Sequence, residues 1–121
     1  MPEVSIVIVS EQIQRDALTP LMEAWHHTMV KGVVDIARNV IALGGEWHMD
    51  ANVLLLADGS NQKDVWGFNL YPEEDGDAAL EYISLINIRP AQGNRDMEIE
   101  DADIREKVRA VVAERVPFLG L

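Results

Sequence analysis

The chain has 121 residues, no cysteine, and 10 basic against 21 acidic side chains, a formal charge of −11. That length suits one domain, here read as residues 1–121, which can fold without a metal or disulfide staple. The missing cysteines exclude a disulfide framework, a thiolate zinc site and a cysteine nucleophile. The acidity is distributed, −5 over residues 1–60 and −6 over residues 61–121, and argues against broad nucleic-acid binding, which needs a net basic face.

No apolar run approaches the roughly 20 residues of a membrane span. The start, Met1-Pro2-Glu3, lacks the basic region of a secretory signal. The expected compartment is the cytoplasm.

Val4, Ile6, Val7, Ile8 and Val9 predict a first strand, buried on both faces. Thr19-Pro20 reads as a helix start, with Thr19 as N-cap and Pro20 at the first helical position. Leu21, Trp25, Thr28 and Met29 then form one helical face to about residue 30. His26 and His27 lie off that stripe and read as surface histidines.

Residues 31–43 fit either a helix or a hairpin turning at Arg38-Asn39. Their β-branched content favours the hairpin. The expected register sets Ile36 against Ile41, Val34 against Leu43 and Lys31 against Glu46. Asp35, Ala37, Val40 and Ala42 share the other face. Asp50 reads as the N-cap of a short helix through Val53, Leu54 and Leu56, with Gly59 as its stop.

Val65 to Tyr71 alternates as a strand, with Trp66, Phe68 and Leu70 on one side and Gly67, Asn69 and Tyr71 on the other. Pro72 ends it, and residues 73–77 form an acidic turn. Leu80 to Arg89 is expected as a fifth strand, closed by Pro90. Ala91 to Glu100 is a polar loop. Asp101 caps a last helix with Ile104, Val108, Val111 and Val112 on its apolar face, and with Asp101–Arg105 and Asp103–Lys107 pairs opposite. Pro117 ends it. The predicted fold is α+β, a mostly antiparallel sheet of about five strands with helices on one face, in the order βα-ββ-α-ββ-α.

The blocks GGEWHMD (44–50), DGSNQKDVWGFNLYP (58–72) and YISLINIRPAQGNR (82–95), with MVKGVVDI (29–36) and IEDADIREKV (99–108), resemble the signature of one small microbial family. The resemblance covers most of the chain after residue 28. That family is a domain of unknown function, so the resemblance implies a compact fold and no particular reaction. It also implies that the 29–50 region is extended rather than one helix.

Two polar clusters carry the functional expectations. Glu46, His48 and Asp50 fall at i, i+2 and i+4, one face of a strand. Two carboxylates and an imidazole there can hold a divalent metal or act as an acid/base pair, with Asp35 as a further carboxylate. As a helix N-cap, Asp50 would instead be committed to backbone N–H groups. Asn87, Arg89, Asn94 and Arg95, with Gln92 between, form the second cluster. Arginine forks recognise carboxylates and phosphates, and Arg89 is expected at a strand end beside a polar loop. The competing reading is internal pairing with Asp96, Glu98, Glu100 or Asp101. Nucleotide cradles of the GxGxxG or GxxxxGK[ST] type and the GxSxG elbow are absent.

The leading expectation is a non-catalytic binding or regulatory module with an anionic ligand or partner group at the Asn87–Arg95 loop. Alternatives are a metal-assisted hydrolase using Glu46, His48 and Asp35 or Asp50, and a structural partner subunit or homodimer. No cofactor is identified. A discriminating feature is whether Glu46, His48, Asn69, Asn87 and Arg89 converge in one cleft.

Overall fold

In the computed structural model, which describes residues 6–121, five strands form one sheet. They are β1 (Ile6–Val9), β2 (Val30–Asp35), β3 (Val40–Gly44), β4 (Val65–Leu70) and β5 (Leu80–Glu81). Their order is β1-β3-β2-β4-β5, and every neighbouring pair is antiparallel. Three helices, α1 (Arg15–Trp25), α2 (His48–Ala57) and α3 (Ala102–Arg115), complete an α+β fold in the expected element order. The readings made at Met1-Pro2-Glu3 and Val4 lie outside the described residues.

The helices do not share one face. Val30 and Val34 of β2, Ile41 and Leu43 of β3, and Trp66, Phe68 and Leu70 of β4 point to one side. There they pack with Leu18, Leu21 and Met22 of α1 and with Val108, Val111 and Val112 of α3. Val33, Val40, Ala42 and Val65 point the other way and pack on Ala51 and Leu55 of α2. Topology supplies the reason. The β1–α1–β2 connection passes over β3, and β3–α2–β4 passes over β2. Both step the same way along the sheet, but from strands of opposite polarity. Right-handed crossovers then put their helices on opposite faces. With both faces covered, every residue of β4 is buried.

Several local expectations are corrected. β1 is an edge strand rather than a doubly buried one, and Val7 and Ile8 are 38% and 36% exposed. Helix α1 starts at Arg15, after Gln14, and carries Pro20 in its interior. The burial of Leu18, Leu21 and Met22 outweighs the one hydrogen bond that Pro20 cannot donate. It ends at Trp25, because His27 takes a left-handed φ of 61°, so Thr28 and Met29 are outside it.

The hairpin is present with its faces as expected, but its register is offset by two residues. Val34 pairs with Ile41 and Asp35 with Val40, while Lys31 lies opposite Asn69 of β4, not Glu46. Asp35 sets this wider turn by accepting from the N–H groups of Ala37 and Arg38 at 2.9 and 3.0 Å. The fifth strand is only two residues long, and short 3₁₀ turns replace its remainder. Asp101 does cap α3, accepting from the Asp103 and Ile104 amides. Arg105, however, turns to the Ile99 and Glu100 carbonyls rather than to Asp101. Neither that pair nor Asp103–Lys107 is among the ion pairs of the described residues.

Candidate functional site

The positive-φ pair Gly44-Gly45 (112° and 88°) turns the chain sharply from β3 into α2. This turn delivers the α2 N-terminus over the end of the sheet where Lys31, Asn69 and Glu81 stand side by side. Lys31 pairs with Asn69 across β2–β4, and Asn69 with Glu81 across β4–β5, so the three side chains share one face. A cavity of about 400 Å³ opens there, lined by Lys31, Asn69, Trp47, His48, Met49 and the apolar side chains of Ile83, Leu85 and Met97, with Ser84. Its rim is unusually apolar for a surface: Trp47 is 61%, Met49 52% and Leu85 72% exposed. Such a rim marks a contact site more often than a bare surface does.

The polar floor is partly unsatisfied. His48 is 8% exposed, and its Nε2 lies 2.8 Å from the Phe68 carbonyl. A carbonyl only accepts, so Nε2 carries the hydrogen and Nδ1 is left as the lone pair. Burial, with nearby Lys31 and His26 opposing a second charge, outweighs the helpful Phe68 and Asn69 oxygens and lowers the His48 pKa to about 4. The imidazole is therefore neutral at pH 7. Asn69 donates to Glu81 Oε1 at 2.8 Å and to the Ile83 carbonyl at 3.2 Å, which fixes its amide orientation. Its Oδ1 is buried and has no hydrogen-bond donor among the described residues.

Tyr71 donates to the same Glu81 oxygen. Lys31 is half-buried, and desolvation lowers its pKa, with Glu81 acting against that shift. It makes no ion pair among the described residues. Ser84 Oγ is occupied by the Ile86 amide, and no hydrogen bond joins it to His48.

Of the residues singled out by sequence, His48 and Asn69 reach this cavity, whereas Glu46, Asn87 and Arg89 do not line it. The strand that would align Glu46, His48 and Asp50 does not exist, because His48 and Asp50 belong to the first turn of α2. Positions i and i+2 of a helix do not share a face. Trp47, not Asp50, is the N-cap, and Asp50 is exposed. Glu46 offers its backbone carbonyl to His26 Nε2 at 3.0 Å. Asp35 lies in the distant hairpin turn, 3.9 Å from the Arg38 guanidinium. Among the described residues no three His, Asp or Glu side chains are grouped to hold a metal ion.

The second cluster is joined to the backbone. Asn87 is fully buried; its Oδ1 accepts from Gly67 N at 2.8 Å, and its Nδ2 donates to Gly67 O at 3.0 Å and Met97 O at 3.1 Å. If β5 continued in register, Ile83 would face Gly67. The chain turns away instead, Ile83 bridges to Glu98, and the Asn87 carboxamide takes the place of the missing peptide unit. Gly67 is required for this approach, since a Cβ there would lie 2.5 Å from Ser84 Cβ.

Arg89 donates to the carbonyls of Ile86, Gln62 and Val65 and stacks 4.5 Å from the Trp66 ring centroid. Asn94 donates to the carbonyls of Asn87, Asp96 and Glu98 and accepts from Glu100 N. Only Arg95 keeps an exposed side chain without a protein partner among the described residues; the Glu100 carboxylate accepts from its backbone amide.

Sequence reasoning missed Lys31 as a site residue, together with Ser84 and Met97. The readable signal was Lys31 alone in a β-branched strand, since a charge inside such a strand must find an opening.

Comparison with known proteins adds the family and no more. A family model described as "Protein of unknown function (DUF5674)" matches residues 7–115, and the chain belongs to that family. No curated protein and no solved structure matches. No described helix is long and apolar enough to cross a membrane.

Proposed function

We propose that the protein is a non-catalytic binding module that takes a small, largely apolar molecule into the cavity between the α2 N-terminus and β2/β4. One observation carries this reading: an apolar-walled space of about 400 Å³ where, among the described residues, the Asn69 amide oxygen has no donor and the Lys31 ammonium no ion pair. That size falls within the usual range for small-molecule sites, roughly 300–1,000 Å³. The non-catalytic part rests on the lining. It contains no carboxylate, its serine hydroxyl is turned to a backbone amide, and its histidine is held by a carbonyl.

The binding site expected at Asn87, Arg89, Asn94 and Arg95 is thereby moved to the neighbouring cavity. The test is a two-dimensional amide NMR titration with decanol and with decanoate. The expected result is a set of shifts centred on residues 47–49, 83–85 and 97. Shifts at the 89–95 loop instead would restore the arginine site, and no shift with either probe would remove the reading.

A second reading, pairing of two copies, is favoured by the outer stripe of α2. Met49, Val53 and Leu56 are 52%, 57% and 36% exposed at i, i+4 and i+7, continuous with the cavity rim. Light scattering decides it: a strict monomer at high concentration excludes the pair.

A further inference from the structure

Resting on the cavity reading above, we infer that the ligand is a monoanionic amphiphile whose carboxylate pairs with Lys31 and whose hydrocarbon body lies between Trp47, Met49, Leu85 and Met97.

The charge sign follows from the lining. Among the described residues, Lys31 is the one charged side chain lining the cavity, on a protein whose formal charge is −11. The residue is half-buried, and its ammonium makes no ion pair among the described residues. A half-buried charge without a partner is costly, and a ligand anion removes that cost by supplying one. Glu81 acts on the Lys31 charge only at a distance, without forming an ion pair. It lies one strand further along the row, and one of its oxygens is already held by Asn69 and Tyr71.

The α2 N-terminus reinforces the sign. Trp47, His48 and Met49 form part of the wall, so the positive end of the helix dipole stands at the cavity edge. His48 and Asn69 carry no charge of either sign, so the charge preference rests on Lys31 and the helix end; the unpaired Asn69 Oδ1 is an acceptor and is suited to a ligand or water donor, not to the carboxylate.

A single carboxylate fits better than a phosphate. One lysine is a point charge, whereas dianionic phosphates are met by arginine forks or several converging cations. The Arg89 guanidinium is occupied by backbone carbonyls. The body follows from the rim, where thioethers and an indole offer adaptable apolar contact.

The experiment compares four probes with one ten-carbon tail: decanoate, decanol, methyl decanoate and decyltrimethylammonium. Binding to the intact protein is read by calorimetry and by tryptophan fluorescence, to which Trp47 contributes with Trp25 and Trp66, below the micellar range. Decanoate is expected to bind at least about tenfold more tightly than decanol or the ester, with the cation weakest. Added salt should erode the preference. Lys31→Met should abolish the preference while leaving decanol binding in place, and Lys63→Met should not change it.

Equal binding of decanoate and decanol, or a preference for the cation, overturns the anionic inference and leaves the cavity reading standing. Failure of all four to bind overturns the cavity reading itself. The comparison among probes needs no variant, so a poorly folding Lys31→Met protein would not blunt it.

Discussion

Two clusters along β4 contain the same kinds of side chain, asparagine and a basic residue, and do opposite things. Around Asn87 and Arg89, the donors and acceptors meet backbone: Gly67, Met97, Ile86, Gln62 and Val65. Around Asn69 and Lys31, the amide oxygen has no donor and the ammonium no anion among the described residues. What separates scaffold from site is the state of each polar group's hydrogen bonding, not its residue type. The first cluster replaces a missing length of strand. The second lines a space.

The largest expected effect breaks the first cluster. Asn87→Ala removes the surrogate peptide unit and orphans both the N–H and the carbonyl of Gly67, in a position with no access to water. Each orphaned buried group costs about 1–3 kcal/mol, so a destabilisation of roughly 3–5 kcal/mol is expected in urea unfolding. Asn87→Asp should be comparably damaging, because a carboxylate cannot donate to the Gly67 and Met97 carbonyls. A loss under about 1 kcal/mol would mean that the amide is not replacing strand pairing.

Next in size is the acid limb of the second cluster. His48 has a folded pKa of about 4 against 6.5 for the unreacted group, so on acidification the unfolded chain takes up the proton first. The stability from keeping it neutral is complete above pH 6.5 and falls as pH drops from 6.5 toward 4. The full shift corresponds to about 3 kcal/mol. His48→Gln keeps a donor for the Phe68 carbonyl but does not titrate. Its stability should therefore fall less between pH 6.5 and 4 than that of the parent chain. Asn87→Ala should show no such difference, since the defect there involves no titrating group. Parallel pH profiles for His48→Gln and the parent would rule out the buried neutral imidazole.

Arg89→Ala should cost about 1–2 kcal/mol, from lost carbonyl contacts and lost stacking on Trp66, with no effect on decanoate binding. Arg95→Ala should change neither. A loss of decanoate affinity in either variant would reverse the assignment of the two clusters.

How much of this was legible depends on the range of the information. Strand β4 could be read because alternation is local, and Trp66, Phe68 and Leu70 announce it. The hairpin faces were readable for the same reason, but its register was not. The offset comes from Asp35 closing a wider turn, and periodicity is blind to a shift of two. The division of helices between two faces was hidden as well, because it follows from strand order, and order is not local. Asn87 shows the limit most sharply. As sequence it is one polar residue near the end of an expected strand, Leu80 to Arg89. Its role appears only when β5 stops after Glu81 and leaves Gly67 unpaired. An imidazole between acids marks His48 in the sequence, but the i, i+2, i+4 spacing reads as a strand. Helix α2 then carried Asp50 away from it.

The smallest expected effect on stability is the most informative about the site. Lys31 and Met have similar stems, and the lysine stem lies along apolar surface while only its head carries charge. The ammonium makes no ion pair among the described residues, so Lys31→Met removes a partly desolvated charge without orphaning a counterion. Stability should stay within about 0.5 kcal/mol of the parent or rise slightly. A scaffold residue of equal burial would not behave so. If Lys31→Met instead costs more than about 2 kcal/mol, then Lys31 is held by contacts like those of Arg89. In that case the contrast between the two clusters fails at the residue on which the site depends.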